Sequence, residues 1–258
     1  MSSGIALSLS QRKPMINTYN ESDLHSALKK IYAMESEGVT EARLGGTAWI
    51  CDVLTSDGDV IEIQTSNLSA LTEKAEHILG IGKKLRIVHP VMETKWIELY
   101  AENGEILRRK KSPKKADIFD SLRGMTGICP LLLRENLTLE LLRCEITEMR
   151  RKTERPAQTP NKSRRHLKDW LPAGKRLERI LGKESLSSKE DWLGLIPQSL
   201  RDSRTFRPRD LETELKKIRG ARAARRAGLL LWILHKMRLI ELAEIKGRSR
   251  YYRISGAP

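Results

Sequence analysis

Aromatic side chains are scarce in this chain. They make up 5% of its 258 residues, with Phe occurring twice, so the 39% hydrophobic content is largely aliphatic. That content is still enough to bury a substantial core, and the length suits two domains. Three cysteines, Cys51, Cys129 and Cys144, occur without a C-x-x-C pair, and the five histidines are scattered. This excludes a disulfide framework and a zinc site of ordinary spacing, and it fits a reducing cytoplasm. No apolar run approaches the roughly 18 residues of a membrane-spanning helix, so no membrane partner is expected. The short run Ile5 to Leu9 lacks a preceding basic segment, which argues against a secretory signal. There is no internal repeat.

The charge is unevenly divided. Residues 1–107 hold 10 Lys and Arg against 15 Asp and Glu, whereas residues 108–258 hold 38 against 18, within a total of +15. An acidic half joined to a strongly basic half points to nucleic acid, double-stranded DNA being the expected partner. Solubility is the bland alternative.

Inside the acidic half, Trp49 to Leu54 and Val60 to Thr65 flank the turn Ser56-Asp57-Gly58-Asp59 and read as a β-hairpin. A three-residue loop with Gly58 in the left-handed region would pair Thr55 with Asp59 and set Asp52 opposite Glu62, with Gln64 on the same face. A two-residue loop would separate the two acids. Two carboxylates and an amide on a few ångströms of sheet need a cation. Their all-oxygen chemistry suits Mg²⁺ or Mn²⁺, whose remaining positions go to water and phosphate oxygens. The expected chemistry is metal-assisted phosphodiester hydrolysis.

Asp52, followed after nine residues by Glu62-Ile63-Gln64, then a helix and a further apolar strand, resembles the PD-(D/E)xK nuclease superfamily, the restriction-endonuclease-like fold. That resemblance implies an N-terminal α/β (α+β) core running α-β-β-β-α-β, a mixed sheet flanked by helices. The elements match in order: a helix from Asn20 to Ala33 with Asn20 or Ser22 as cap, strands Val39–Leu44, Thr47–Leu54 and Val60–Thr65, a helix Ser69–Leu79, and a strand Lys84–His89. The motif normally ends in Lys, and Gln64 is a minority variant of it. In some members the lysine comes from the following helix, where Lys74 stands. A glutamate near the first helix or strand often contributes, which makes Glu37 and Glu41 candidates, with Glu41 preferred. The resemblance thus implies Asp52 and Glu62 as metal ligands, Gln64 orienting water or supplying a carbonyl ligand, Lys74 holding or polarising the attacking water, and Glu41 assisting. His25 and His89 lie nearby, but each fits a packed histidine and enters no mechanism. The same segments, with Arg86 to Pro90, are also similar to an uncharacterised bacterial family that ends in a basic helix and hairpin.

The C-terminal part carries organised basic residues. A helix from Phe206 to Ile218 is broken by Gly220, and a second helix is expected from Ala221 to Met237. Arg222, Arg225 and Arg226 share a face at its start, ahead of a packing face of Leu229, Leu230, Ile233, Leu234 and Met237. A hairpin follows, Ile240–Ile245 and Arg250–Ile254. This resembles a winged helix-turn-helix, with the arginines on the recognition helix and Lys246, Arg248 and Arg250 of the wing at phosphates. A helical domain that only packs against a partner is the alternative.

Three segments are therefore expected: a nuclease-like domain over 1–149, a basic linker over 150–175 and a winged helix over 176–258, the last including a short strand near Leu177 and a Ser187-capped helix. In the extension of the first domain, between the nuclease-like core and the winged helix, strands at Trp96–Tyr100 and Glu105–Arg109 flank an Asn103-Gly104 turn, Lys110 to Lys115 forms a basic loop, and Leu137–Cys144 is a further strand. The function expected is a metal-dependent nuclease acting on DNA, for which a homodimer would allow cutting of both strands. A catalytically silent DNA-binding regulator and an RNA-binding or RNA-processing factor remain open alternatives.

Overall fold

The computed structural model describes residues 23–45, 47–158 and 167–256. Its first elements are helix α1 (Asp23–Glu35), strands β1 (Val39–Arg43), β2 (Ile50–Leu54) and β3 (Val60–Ile63), helix α2 (Thr72–Gly80) and strand β4 (Leu85–Tyr100). Strands β5 (Ile106–Lys111), β6 (Leu137–Ala157) and β7 (Lys168–Leu186) complete one seven-stranded sheet. Its order is β1-β2-β3-β4-β6-β7, with β5 attached to β4. The β3/β4 and β4/β6 pairs are parallel and the others antiparallel. The architecture is thus α/β, a mixed sheet flanked by helices.

At the centre of the sheet both faces are buried, and the first half of β6 shows how. Leu137, Leu139 and Leu141 enter one apolar layer while Leu142, Cys144 and Ile146 enter the other, as a period-2 strand covered on both sides requires. The second layer is closed by α1, whose Leu24, Leu28 and Tyr32 recur at helical spacing and are fully buried against Val53, Ile61, Ile63 and Val88. The first layer is closed by α2 and by a helical segment opened by α3 (Ile118–Ser121), which starts in a capping box of Asp117 and Asp120.

That same layer continues without a break into the C-terminal helices. These are α4 (Lys189–Leu193), α5 (Gln198–Arg201), α6 (Pro208–Arg219), α7 (Ala221–Ala224) and α8 (Ala227–Lys236), followed by the hairpin β8 (Ile240–Lys246) and β9 (Ser249–Ile254). Trp192, Phe206, Leu230 and Ile233 belong to one cluster with Leu139, Ile87 and Phe119. Phe206 also makes a strand-like bridge to Tyr252 of β9.

Several expectations need correction. The stretch 150–175 is not a linker: most of it belongs to β6 and β7, which pair from Leu139/Leu186 to Ala157/Lys168. The alternation that would have revealed strands there is hidden because Lys and Arg occupy both faces. The strand near Leu177 belongs to this main sheet, not to the C-terminal unit. Lys110 and Lys111 lie in β5, all of whose residues are exposed. Helix α4 is capped by Ser188, which forms a capping box with Asp191. The segment 221–237 is two helices, since Arg226 separates α7 from α8. The proposed caps Asn20 and Ser22 lie outside the described residues.

Candidate active site at the end of the first hairpin

The hairpin adopts the three-residue loop. The Thr55 amide donates to Asp59 O at 2.9 Å and the Gly58 amide to Thr55 O at 2.9 Å, with Gly58 at φ +79°. Val53 and Ile61 are partners, and so are Leu54 and Val60, which continues to Asp52 opposite Glu62.

At that row the regular ladder stops and side chains take over the backbone groups. The Ile63 amide donates to Asp52 Oδ2 at 2.8 Å, and the Asp52 amide donates to Glu62 Oε1 at 3.2 Å. Ile63 O meets His25 Nε2 of α1 at 3.0 Å, and that nitrogen lies 3.3 Å from Asp52 Oδ2. Lys74 of α2 places its Nζ 2.5 Å from Glu62 Oε1 and donates to Ile50 O at 2.6 Å. A carboxylate wedged between β2 and β3 thus replaces a strand pair, and each exposed backbone group finds a charged or imidazole partner. Cys51 and Val53 fall in different apolar layers, which marks the local break in alternation.

The two carboxyls are driven in opposite directions. Burial pushes Asp52 up, but its bonds from His25 and the Ile63 amide, with the Lys74 charge, outweigh burial and hold it below the ordinary aspartate value. Glu62 is 4% exposed, and burial, reinforced by Asp52, keeps its carboxyl above the ordinary value despite Lys74. Opposed shifts in neighbouring carboxyls are the usual preparation for distinct chemical roles. Burial also lowers His89, whose Nδ1 lies 2.6 Å from Gln64 O.

Asp52, Glu62 and Lys74 therefore meet, and Gln64 follows them along the same strand, its amide donating to Val88 O at 2.9 Å. Glu41 falls opposite Asp52 in the β1/β2 register, yet its carboxylate is 65% exposed and lies 2.8 Å from Lys29. Its backbone is left-handed at φ +56°, so all three strands depart from regular geometry around Asp52. Glu37 lies in the turn after α1, beside a cavity of about 460 Å³ at the opposite end of β3. His25 is the residue that sequence reasoning missed, because a histidine on the partly apolar face of a helix is more often packed than engaged. Among the described residues no group of three or more His, Cys, Asp and Glu side chains is arranged to hold a metal ion.

In the C-terminal unit two of the three arginines have an acidic partner within the chain. Arg222 Nε lies 2.5 Å from Asp120 Oδ2 and an Arg226 terminal nitrogen 3.5 Å from Asp120 Oδ1, so Arg222 ties α7, and Arg226 the start of α8, to α3. Arg225 is exposed, as are Lys246, Arg248 and Arg250 on the hairpin.

Residues 22–187 match the family described as "Domain of unknown function (DUF8091)". The chain belongs to this family. The DUF8091 region closes at the end of β7, so the C-terminal helices and hairpin lie beyond it. A relative, an "Uncharacterized protein" of Treponema pallidum (strain Nichols), is 34% identical over 127 residues, which is 49% of this chain and 49% of the relative. The chain therefore spans about half the length of that relative. No solved structure matches the chain.

Proposed function

We propose that this DUF8091 protein is a metal-dependent nuclease-like protein that hydrolyses phosphodiester bonds in DNA, with its C-terminal unit acting as a winged helix that helps to hold the duplex. The observation that carries this reading is the replacement of the β2/β3 ladder at Asp52 by a half-buried and a buried carboxylate of opposite pKa displacement, with Lys74 on the buried one. The order α1-β1-β2-β3-α2-β4 supports a restriction-endonuclease-like core. The order α6-α7-α8-β8-β9, with the Phe206–Tyr252 bridge, supports a winged helix.

Two carboxylates with free oxygens would suit a divalent ion of the magnesium class, the rest of its shell coming from water and phosphate. Each carboxylate uses one oxygen, Oδ2 or Oε1, in its bonds to the protein, and Mg²⁺ is commonly held by one or two carboxylates with waters and phosphate oxygens completing its shell. Asp52 and Glu62 would hold it. When bound, such an ion polarises a phosphoryl oxygen and lowers the pKa of attached water.

The chain's own groups do the rest. The His25 and Ile63 bonds keep Asp52 ionised and fixed. Lys74 neutralises Glu62 in the resting site and would position the attacking water, and Gln64 would orient that water from the neighbouring strand position. Contacts to the duplex from the C-terminal unit would fall first to Arg225, Arg248 and Arg250, with Arg222, Arg226 and Lys246 adding charge from their pairs with Asp120 and Glu244. A homodimer would present two such sites to the two strands.

One observation favours a second reading. The Lys74 ammonium already occupies Glu62, so one of the two carboxylates is paired without a metal and the hairpin could serve a DNA-binding regulator that does not cut. A cleavage assay on duplex DNA, single-stranded DNA and structured RNA with Mg²⁺ and Mn²⁺ decides between them. Cutting by the wild type that disappears in the Asp52→Ala, Glu62→Ala double variant is expected; binding without metal-dependent cutting would leave the regulator.

A further inference from the structure

Beyond the end of β3 the sheet continues as an arm of β5, β4, β6 and β7. An irregularity between Met92 and Thr94 shifts β4 by one residue against β6, so Lys95 pairs with Ile146 and Ile97 with Glu148. Lys110 lies opposite Ile97, and Lys175 lies opposite Glu148. These residues therefore share the face that carries the α1 layer, and Arg150 joins them two residues beyond Glu148.

Charge on this face is unbalanced. Lys95 Nζ and an Arg150 terminal nitrogen each lie 2.6 Å from Glu148, with side-chain exposures of 23%, 19% and 18% for Lys95, Arg150 and Glu148. Burial lowers the Lys175 pKa; Glu148 raises it and Lys95 lowers it. Lys95 and Arg150 thus contact one half-buried carboxylate, and Lys175, paired across the ladder with Glu148, lies within reach of its charge, which can neutralise only one of the three. The Arg150 guanidinium is fixed 3.7 Å above the Trp170 ring. From β5, Lys110 and Arg108 add exposed charge in the adjoining rows. Rigid, partly desolvated cations in excess of their counter-charge are suited to an external phosphate, because their ordering cost is met in the folded chain.

We propose that this face of the arm binds the phosphate backbone of duplex DNA, centred on Lys95, Arg150 and Lys175. The proposal rests on the reading above for the identity of the polyanion, but not for its cleavage. Glu148 lies eight residues along β6 from Glu140, which is in the row of Ile63. At about 3.3 Å per residue that is roughly 25 Å from the candidate site, or about 8 base pairs. The arm would hold the duplex while the carboxylates face a phosphate nearly one turn away.

The test is fluorescence anisotropy of a labelled 20-base-pair duplex with the full chain carrying Asp52→Ala, titrated at several salt concentrations. An Arg108→Gln, Lys110→Gln variant leaves the partners of Glu148 in place, and Arg150→Gln removes the stacked cation. The double substitution should weaken binding roughly tenfold or more and reduce the slope of log K against log salt by roughly 0.9 for each phosphate that is no longer neutralised. Arg150→Gln should show the same kind of weakening with an unchanged melting temperature or, if folding suffers, the double variant decides. Affinity and slope unchanged in the double variant, with weakening confined to an Arg248→Gln, Arg250→Gln control, would overturn the proposal. So would failure to bind any duplex, or a preference for duplex RNA at matched salt. Arm-dependent binding by a wild type that never cuts would instead overturn the nuclease reading alone.

Discussion

Replacing Lys74 by Met removes the one ammonium beside Glu62 while keeping most of the side-chain volume. With Lys74 and Glu62 only 12% and 5% exposed, the pair is buried enough that the survivor cannot be rescued by water. Breaking such a pair from one side costs about 3–5 kcal/mol. The loss should depend on pH in a definite direction. Glu62 has a folded pKa above its ordinary 4.5, so the folded chain retains a proton that the unfolded chain releases. Stability from a group of this kind is complete below its unfolded pKa and is lost as pH rises through the folded value. Without Lys74 the folded value moves higher and the window of loss widens. Urea unfolding should therefore show the variant close to wild type near pH 4.5 and about 3 kcal/mol weaker at pH 8, a midpoint shift of roughly 1.5 M at a slope of about 2 kcal/mol per M. Adding Glu62→Gln should restore most of the difference at pH 8. A Lys74→Met protein that loses less than about 1 kcal/mol at every pH would refute the buried pair and, with it, the neutralisation of Glu62 by Lys74.

Other expectations concern the same hairpin. Asp52 has a lowered folded pKa, so its contribution is present above its ordinary 3.8 and lost as pH falls through the folded value; Asp52→Asn should flatten this acid limb in pH-dependent unfolding curves. His25→Ala strips a partner from Ile63 O and from Asp52, and thermal unfolding should report a loss of about 1–3 kcal/mol. Gly58→Ala forces a side chain to φ +79°, with its Cβ 3.1 Å from Lys83 Nζ. Calorimetry should show a cost of about 1–2 kcal/mol, without the pH dependence of the Lys74 variant.

The hairpin is legible because its turn chemistry fixes the register: a glycine able to take positive φ after Ser56-Asp57 leaves one way to align Asp52 with Glu62. Leu24 and Leu28 of the first helix and the break at Gly220 are legible for the same local reason, although the stripe read as continuing to Ile31 is completed by Tyr32 instead. What escapes are features set by distant partners. Nothing local tells that Asp120 will collect Arg222 and Arg226 from about a hundred residues away, or that His25 will reach across to Ile63 O. The arm reads as a linker because β6 and β7 leave the apolar core there. Past Ile146 their side chains are held by ion pairs and cation–aromatic contacts, which carry no hydrophobic period.

The apolar interior runs from Leu44 to Ile240, yet the DUF8091 region ends at residue 187. In this chain the heritable unit is therefore smaller than the folding unit. A fragment ending at 187 would lay bare the surfaces of Phe119, Met125 and Ile128 that α8 and its neighbours now cover, and would be expected to aggregate in isolation. Any DUF8091 region joined to a different C-terminal segment must bring its own cover for that surface.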